Sequence, residues 1–530
     1  MSGPAPRWWE RGLVYQVYPR SFLDSNGDGV GDLPGITRRL DYLAWLGVDA
    51  VWVSPIYPSP MADFGYDVSD HNAVHPAFGT LADFDALVAD AHGRGLKVVL
   101  DFVPNHTSDE HPWFVAARAS RSAPRRDWYV WSDPVPGGGP PNNWRSVFGG
   151  SAWELDTRAG QYYYHAYLRE QPDLNWRNPE VRRAMMEVLR FWLERGVDGF
   201  RVDAVHKLFE DERLRDNPPN PDWQPSQPPY LGLLNVHTSD LPEVHDAIAE
   251  MRRVLDEYGD RVLITEAYLP TDRLMRYYGT GGAGAHLPFN FQLIELPWRA
   301  SAIAGAIAAY EAALPAGGWP NWVLGNHDRS RIATRAGAAQ ARVAAMLLLT
   351  LRGTPTVYYG DEIGMRDVPI PPELVQDPFE KNVPGIGVGR DPVRTPMQWG
   401  AGPNAGFSSG TPWLPVARDY RVVNVEAQRA DPRSLLSLYR RLIELRRAEP
   451  ALSVGSYAAL EASGDVLAYA RRAGQRAIVV ALNLGPERAE LAAIGRRGRI
   501  LLSTSPDRPL EGVEGRVTLG GDEGVVIAVE

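Results

Sequence analysis

The sequence predicts an α/β protein organised as a TIM-type (β/α)8 barrel, and three observations lead there. Short apolar or β-branched runs alternate with segments of helical period, which is the pattern of βα units around a parallel sheet. Eight such runs occur, at 14–17, 50–53, 97–103, 199–202, 263–266, 287–291, 322–324 and 355–358, the number that closes a barrel. Acidic residues stand at two of the run ends: Asp203 completes 199–203, and 63 positions later Glu266 completes 262–266. The C-terminal tips of barrel strands are where such folds mount their chemistry.

Helix-period stretches at 81–94, 179–195 and 241–258 carry apolar residues at three- and four-residue spacing, as helices packed outside a barrel require. Two connections break the rhythm. Residues 105–176, after the third strand, are rich in Gly, Pro, Trp and Tyr with one clear helical segment at 112–119, and read as an inserted small domain. Residues 208–240, after the fourth, include two proline clusters; a loop this long on the catalytic rim reads as a lid. From 451 onward, alternating runs at 466–469, 477–484 and 524–529 read as an antiparallel β domain. The expected organisation is barrel (1–104), insert (105–176), barrel (177–450) and C-terminal β domain (451–530).

Net charge of -10 argues against nucleic acid or an anionic membrane as partner, since both need a basic surface. There is no cysteine, hence no disulfide framework, thiolate metal site or cysteine nucleophile. The first twenty residues hold charges and prolines where a secretion signal would be apolar, and no run approaches a membrane span, so the expected compartment is the cytoplasm. Aromatic residues make up 10% of the chain. Trp144, Phe148, Trp153 and 162–164 lie in polar, Gly-rich surroundings where exposed rings would stack on sugar faces, although most aromatics in any fold are core.

Two carboxylates at strand tips are what glycosidic bond cleavage needs. An aspartate beside Arg201 is expected to stay ionised, because a neighbouring cation favours the charged form, whereas Glu266 as an acid needs surroundings that raise its pKa. The loop Asp24-Ser25-Asn26-Gly27-Asp28-Gly29-Val30-Gly31-Asp32 sets oxygen donors at alternate positions on a Gly-rich turn, which suits a hard cation. The twelfth position from Asp24 is Gly35 where an EF-hand has glutamate. A metal-free Asx and Gly turn is the plainer alternative.

Four separated motifs carry a resemblance: Asp101-Phe102-Val103-Pro104-Asn105-His106, Gly199-Phe200-Arg201-Val202-Asp203, Glu266, and Asn326-His327-Asp328. Two further runs support it, Gln171-Pro172-Asp173-Leu174-Asn175-Trp176 and Arg394-Thr395-Pro396-Met397-Gln398-Trp399. Together they resemble the α-amylase superfamily of retaining glycoside hydrolases (family 13), in its α-glucosidase and oligo-1,6-glucosidase branch. The resemblance implies Asp203 as nucleophile, Glu266 as acid and base about 5 to 5.5 Å away, and Asp328 as the third carboxylate, which binds sugar hydroxyls. It implies His106 and His327 as donors to the same ring, Arg201 beside the nucleophile, Tyr66 stacked on the terminal glucose, and Asp63 with Arg394 on its outer hydroxyls. A pocket closed in this way accepts only a chain end. The resemblance further implies Ca2+ or Mg2+ at Asp24, Asn26, Asp28, the Val30 carbonyl and Asp32. Ala204, where α-1,6-acting relatives commonly have valine, and the run 286–291 point to an α-1,4 disaccharide such as maltose. The alternatives are an oligo-1,6-glucosidase, an enzyme transferring or isomerising glucosyl groups of sucrose or maltose, and, more remotely, a non-catalytic interaction domain.

Overall fold

The structure, a computed structural model, describes residues 5–529, with only the backbone described at 493–496. The part of the opening segment at 1–4 lies outside the described residues. Strands β1 (Val14–Val17), β2 (Ala50–Val53), β3 (Lys97–Phe102), β7 (Gly199–Val202), β8 (Val262–Thr265), β9 (Leu287–Pro288), β10 (Asn321–Val323) and β11 (Thr354–Tyr358) form one eight-stranded sheet in the order β10-β11-β1-β2-β3-β7-β8-β9. Every pairing is parallel, and an Asn290–Trp322 bridge joins the two ends. β9 is shorter than the expected 287–291. Pro288 offers no N–H to extend the ladder, and Asn290 instead accepts the Gln292 N–H to start the short helix Gln292–Glu295. Gly199 opens β7 where any Cβ would strike the Val262 carbonyl, so glycine permits the close approach of β7 to β8.

The barrel interior is filled by Val14, Trp52, Val99, Ile264, Leu287 and Val323, so it is a packed core. Outside it, the helices Leu81–Gly93, Pro179–Glu194 and Val244–Asp256 bury one apolar face each. They end within a few residues of the periodic stretches, the third starting at Val244 because Pro242 and Glu243 form the turn before it.

Within 105–176, β4 (Trp131–Ser132), β5 (Trp153–Asp156) and β6 (Gln161–Tyr164) form a three-stranded antiparallel sheet, preceded by the helix Pro112–Ala117. Trp144, Trp153 and Tyr164 are buried against one another there, so they hold the insert together and do not face a sugar. The loop 208–240 is docked on this insert. Asn143 exchanges hydrogen bonds with the backbone of Asn217 (2.9 Å each), Trp144 Nε1 donates to the Arg215 carbonyl (2.8 Å), and Arg145 Nη1 donates to the Pro229 carbonyl (3.1 Å). These bonds pair backbone groups of Arg215, Asn217 and Pro229 with the insert, so the segment expected to be a lid rests on that domain in this structure.

Strands β12 (Ser456–Ala459), β13 (Val466–Ala473), β14 (Arg476–Asn483), β15 (Ala489–Ser503), β16 (Gly512–Leu519) and β17 (Gly524–Val529) form a six-stranded antiparallel sheet in the order β12-β13-β14-β17-β15-β16. It is fastened to the barrel by two buried arginines. Arg446 donates to the carbonyls of Leu349, Leu351, Leu452 and Gly353, and Arg471 donates to those of Thr350, Gly455 and Ser456.

Candidate active site

The parallel ladder places the acidic tips side by side. Asp101 is in register with Arg201, and Arg201 with Ile264. The ladder runs one residue further, since the Asp203 N–H donates to the Phe102 carbonyl (2.8 Å) and the Glu266 N–H to that of Val202 (3.0 Å). Arg201 is 1% exposed and lies between three carboxylates: Nη1 donates to Asp101 Oδ1 (2.6 Å) and Asp203 Oδ1 (2.7 Å), while Nη2 is 2.6 Å from Glu266 Oε2. One guanidinium therefore holds Asp203 and Glu266 together. Their side chains keep 12% and 8% of their surface, and Asp328 24%, so all three are reachable from one opening.

Burial raises Glu266 to about 8, opposed by Arg201 and reinforced by the charges of Asp203 and Asp328. Burial also raises Asp203 to about 7 against the pull of Arg201. This differs from the expectation that Arg201 alone would keep Asp203 ionised: its single charge is shared among three carboxylates, and desolvation outweighs the share each receives. Burial thus raises both members of the pair, and Arg201 opposes it at each. Asp328 behaves oppositely. Burial works to raise it, but His327, Arg394 and Arg390 hold it well below the usual carboxylate range. Because burial pushes His327 itself down to about 3, that ring is neutral at pH 7, and the lasting cations are Arg394 (2.8 Å) and Arg390 (3.6 Å).

Tyr66 stacks on His327 with ring centroids 5.5 Å apart, and its hydroxyl donates to Asp101 Oδ2 (3.1 Å). Gln16 Nε2 donates to His327 Nδ1 (2.8 Å), which assigns the ring proton to Nε2, facing the Tyr66 hydroxyl (2.7 Å). His106 is neutral, pushed down to about 3 by burial, and its Nε2 lies 3.0 Å from the Tyr66 carbonyl. Asp63 meets Arg390 Nη2 at 2.7 Å and Gln171 Nε2 at 3.3 Å. Hydrogen bonds and ion pairs thus link Asp203, Glu266, Asp328, Tyr66, His106, His327, Arg201 and Asp63 into one connected cluster, Gln171 joining His106 to Asp63.

Arg394 sits differently from its expected place. It donates to the His327 carbonyl and to Asp328 Oδ1 (2.8 Å each), whereas the arginine paired with Asp63 is Arg390. Asp377 holds Arg390 from behind at 2.6 Å, and Phe148 lies 4.9 Å from its guanidinium. Sequence reading missed Arg390, Asp377, Asp101 and Gln171. The signal for Arg390 was a second arginine four residues before Arg394, and Asp101 and Gln171 stood inside motifs already noticed. Ala204 adds a feature no pattern announces: at φ 44° it takes the left-handed conformation, and its N–H donates to Glu266 Oε2 (3.0 Å).

The Asp24 to Asp32 loop lies apart from this cluster. Asp24 accepts the N–H groups of Asn26, Gly27 and Gly29 and the Ser408 hydroxyl, Asp28 accepts from Val30 N–H and Asn26, and Asp32 from Gly35 N–H and Ser25. Among the described residues no three acidic or histidine side chains converge as a ready cation cluster. The donor set is all oxygen and fits a hard cation chemically, but only if these carboxylates offer it a lone pair beside their backbone partners.

Residues 16–455 match the model of the alpha amylase catalytic domain. The chain belongs to the α-amylase family. In this family's chain, residues 455–526 match a domain of unknown function (DUF3459). A probable alpha-glucosidase of Rhizobium meliloti (strain 1021) is 43% identical over 505 residues, which cover 92% of this chain and 91% of that protein. Among solved structures, an alpha-glucosyl transfer enzyme, XgtA, superimposes with a TM-score of 0.95 at 42% identity, over 99% of this chain and all of the other. The trehalulose synthase MutB from Pseudomonas mesoacidophila MX-45 gives 0.92 at 34% identity, over 99% and 100%. No helix among the described residues is long and apolar enough to cross a membrane.

Proposed function

We propose that the chain is an exo-acting, retaining α-glucosidase that releases glucose from the non-reducing end of short α-glucosides, with maltose-type α-1,4 links preferred. The observation that carries this is the Arg201 hub, which holds Asp203 and Glu266 beside each other at the tips of neighbouring strands. Asp203 attacks the anomeric carbon while Glu266 delivers its proton to the glycosidic oxygen, so the aglycone leaves neutral and a glucosyl ester forms on Asp203. Glu266, now a carboxylate, takes a proton from a water molecule, which displaces Asp203 and restores the α configuration. Asp328, kept anionic by two arginines, accepts hydrogen bonds from ring hydroxyls, while the neutral His106 and His327 hold Tyr66, His106 at its carbonyl and His327 at its hydroxyl. The ion pairs Asp63–Arg390–Asp377 stand across the end of the pocket, which favours a chain terminus over the middle of a polymer.

A second reading is transfer of the glucosyl group to a sugar hydroxyl in place of water. The close structural likeness to a glucosyl transfer enzyme favours it, and Tyr268, two residues beyond Glu266 and stacked on Phe291 at 4.2 Å, offers an aromatic face beside the acid. Incubation with maltose, isomaltose, sucrose and soluble starch separates the readings. Glucose from maltose with starch untouched supports the proposal; rapid loss of starch viscosity defeats the closed pocket, and oligosaccharides dominating at high sugar favour transfer.

Asp24, Asn26, Asp28, the Val30 carbonyl and Asp32 are the groups that would hold Ca2+ or Mg2+, which would brace the loop against Ser408 and take no part in catalysis. The charged, proline-containing opening segment supports a cytoplasmic location, and the acidic net charge a small neutral substrate in place of nucleic acid or membrane.

A further inference from the structure

Away from the carboxylate cluster, a cavity of about 620 Å3 is lined by Arg39, Trp399, Gly400, Val425, Glu426 and Arg429 among others. Arg39 sits between the helices Leu33–Arg38 and Leu40–Leu46, its guanidinium 4.1 Å from the Trp399 ring centre. Its Nε is buried without a hydrogen-bond partner, and it joins no ion pair among the described residues. Arg429 lies 4.4 Å over Trp45, also without an ion pair among the described residues. Arg39 is half-buried and Arg429 exposed; the buried Arg201, Arg331, Arg390 and Arg394 by contrast meet carboxylates, and Arg446 and Arg471 meet carbonyls. Burial pushes the Arg39 pKa down, as expected of a desolvated cation lacking a counter-charge. Glu426 is the one carboxylate on the wall, so two cations against one anion leave the cavity electropositive.

A guanidinium held over an indole by cation–π attraction, and making no ion pair among the described residues, keeps N–H donors that can bind an oxyanion. We propose that this cavity is a binding site for a phosphate group, presented as inorganic phosphate or as a phosphate monoester of a sugar, with Arg39 as the principal ligand and Arg429 as the second. The volume exceeds what a bare phosphate needs. This site is independent of the glucosidase reading, since none of its residues belongs to the pocket of Asp203 and Glu266.

Titration calorimetry at low ionic strength, with inorganic phosphate and with glucose 6-phosphate, tests it on the intact protein. Saturable one-to-one binding is expected for at least one of them, with the tighter of the two naming the source. Arg39→Gln is expected to weaken it by about 10-fold or more, the worth of a charge-assisted hydrogen bond, and Arg429→Gln, on the exposed rim where folding is not at stake, by several-fold. Saturating maltose should leave the affinity unchanged, and Arg39→Gln should leave maltose turnover unchanged. Absence of saturable heat with both anions, equal affinity in both variants and the parent, or displacement by maltose would each overturn the site.

Discussion

Replacing Glu266 by glutamine tests the central electrostatic argument. At pH 7 a group titrating near 8 keeps its proton in roughly ten of eleven molecules, whereas one at the ordinary 4.5 would keep it in roughly one of 300. The burial that raises Glu266 therefore supplies nearly the whole working acid. Glutamine preserves the shape and can still accept the Ala204 N–H and face Arg201, so the fold should be unchanged; what disappears is the transferable proton. On maltose, whose leaving hydroxyl needs that proton, kcat should fall by about 10²–10⁴-fold. On p-nitrophenyl α-glucoside, whose leaving group departs unaided, formation of the glucosyl ester should be nearly unaffected. The pH profile gives a second reading. Acidic Glu266 is present below about 8 and lost as pH rises through it, while ionised Asp203 is present above about 7 and lost as pH falls, so kcat/KM should peak between about 7 and 8. Steady-state and burst kinetics across pH on both substrates measure this. Equal losses in the rate of glucosyl-ester formation on the two substrates, or an alkaline limb that survives in Glu266→Gln, would refute the reasoning.

Asp203→Asn should lower kcat on the order of 10⁴-fold or more while leaving the circular dichroism spectrum and melting temperature intact; substantial turnover would remove Asp203 as nucleophile. Arg390→Ala strands Asp63 and Asp377 as unpaired buried carboxylates, so a loss of about 3–5 kcal/mol in urea unfolding and a raised KM for maltose are expected. Ala204→Val forces a β-branched residue into a left-handed conformation at a cost of about 1–2 kcal/mol, and should raise the isomaltose to maltose ratio of kcat/KM by about 10-fold or more; an unchanged ratio would end the linkage argument. Adding Ca2+ at 100 times its Kd should stabilise the parent by about 2.7 kcal/mol relative to chelator and leave Asp24→Ala unmoved. Identical parent melting curves with and without chelator would dismiss the cation.

Most of the barrel was legible because each strand is an uninterrupted buried run, and a run buried on both faces announces itself without its partners. β9 was overread at its end: Phe289 and Asn290 still donate to Thr265 and Asn321, but Phe291, as buried as a strand residue, caps the helix Gln292–Glu295. The acidic tips were visible as ends of such runs, and the histidines inside short motifs. The wall around Arg390 was less so, since Asp63, Asp377 and Arg390 come from separate loops and meet only through folding, and a lone arginine near another gives no reason to prefer one. The pKa balance was illegible in principle, because a charge read from neighbours in sequence says nothing of how many acids will share it.

The manner in which Arg446 and Arg471 fasten the C-terminal sheet has a practical consequence. Both cations are spent on peptide oxygens near the end of one barrel helix, Ala338–Thr350, with no acidic partner. Severing the chain near residue 455 would strip Arg471 from the Thr350 carbonyl and remove the sheet that covers it, so the catalytic half is not a minimal enzyme waiting to be excised. Lysine at either position, with one ammonium in place of a forked plane, could not reach as many oxygens at once; shuffling this terminal module between relatives should succeed only where both guanidinium anchors travel with their helix.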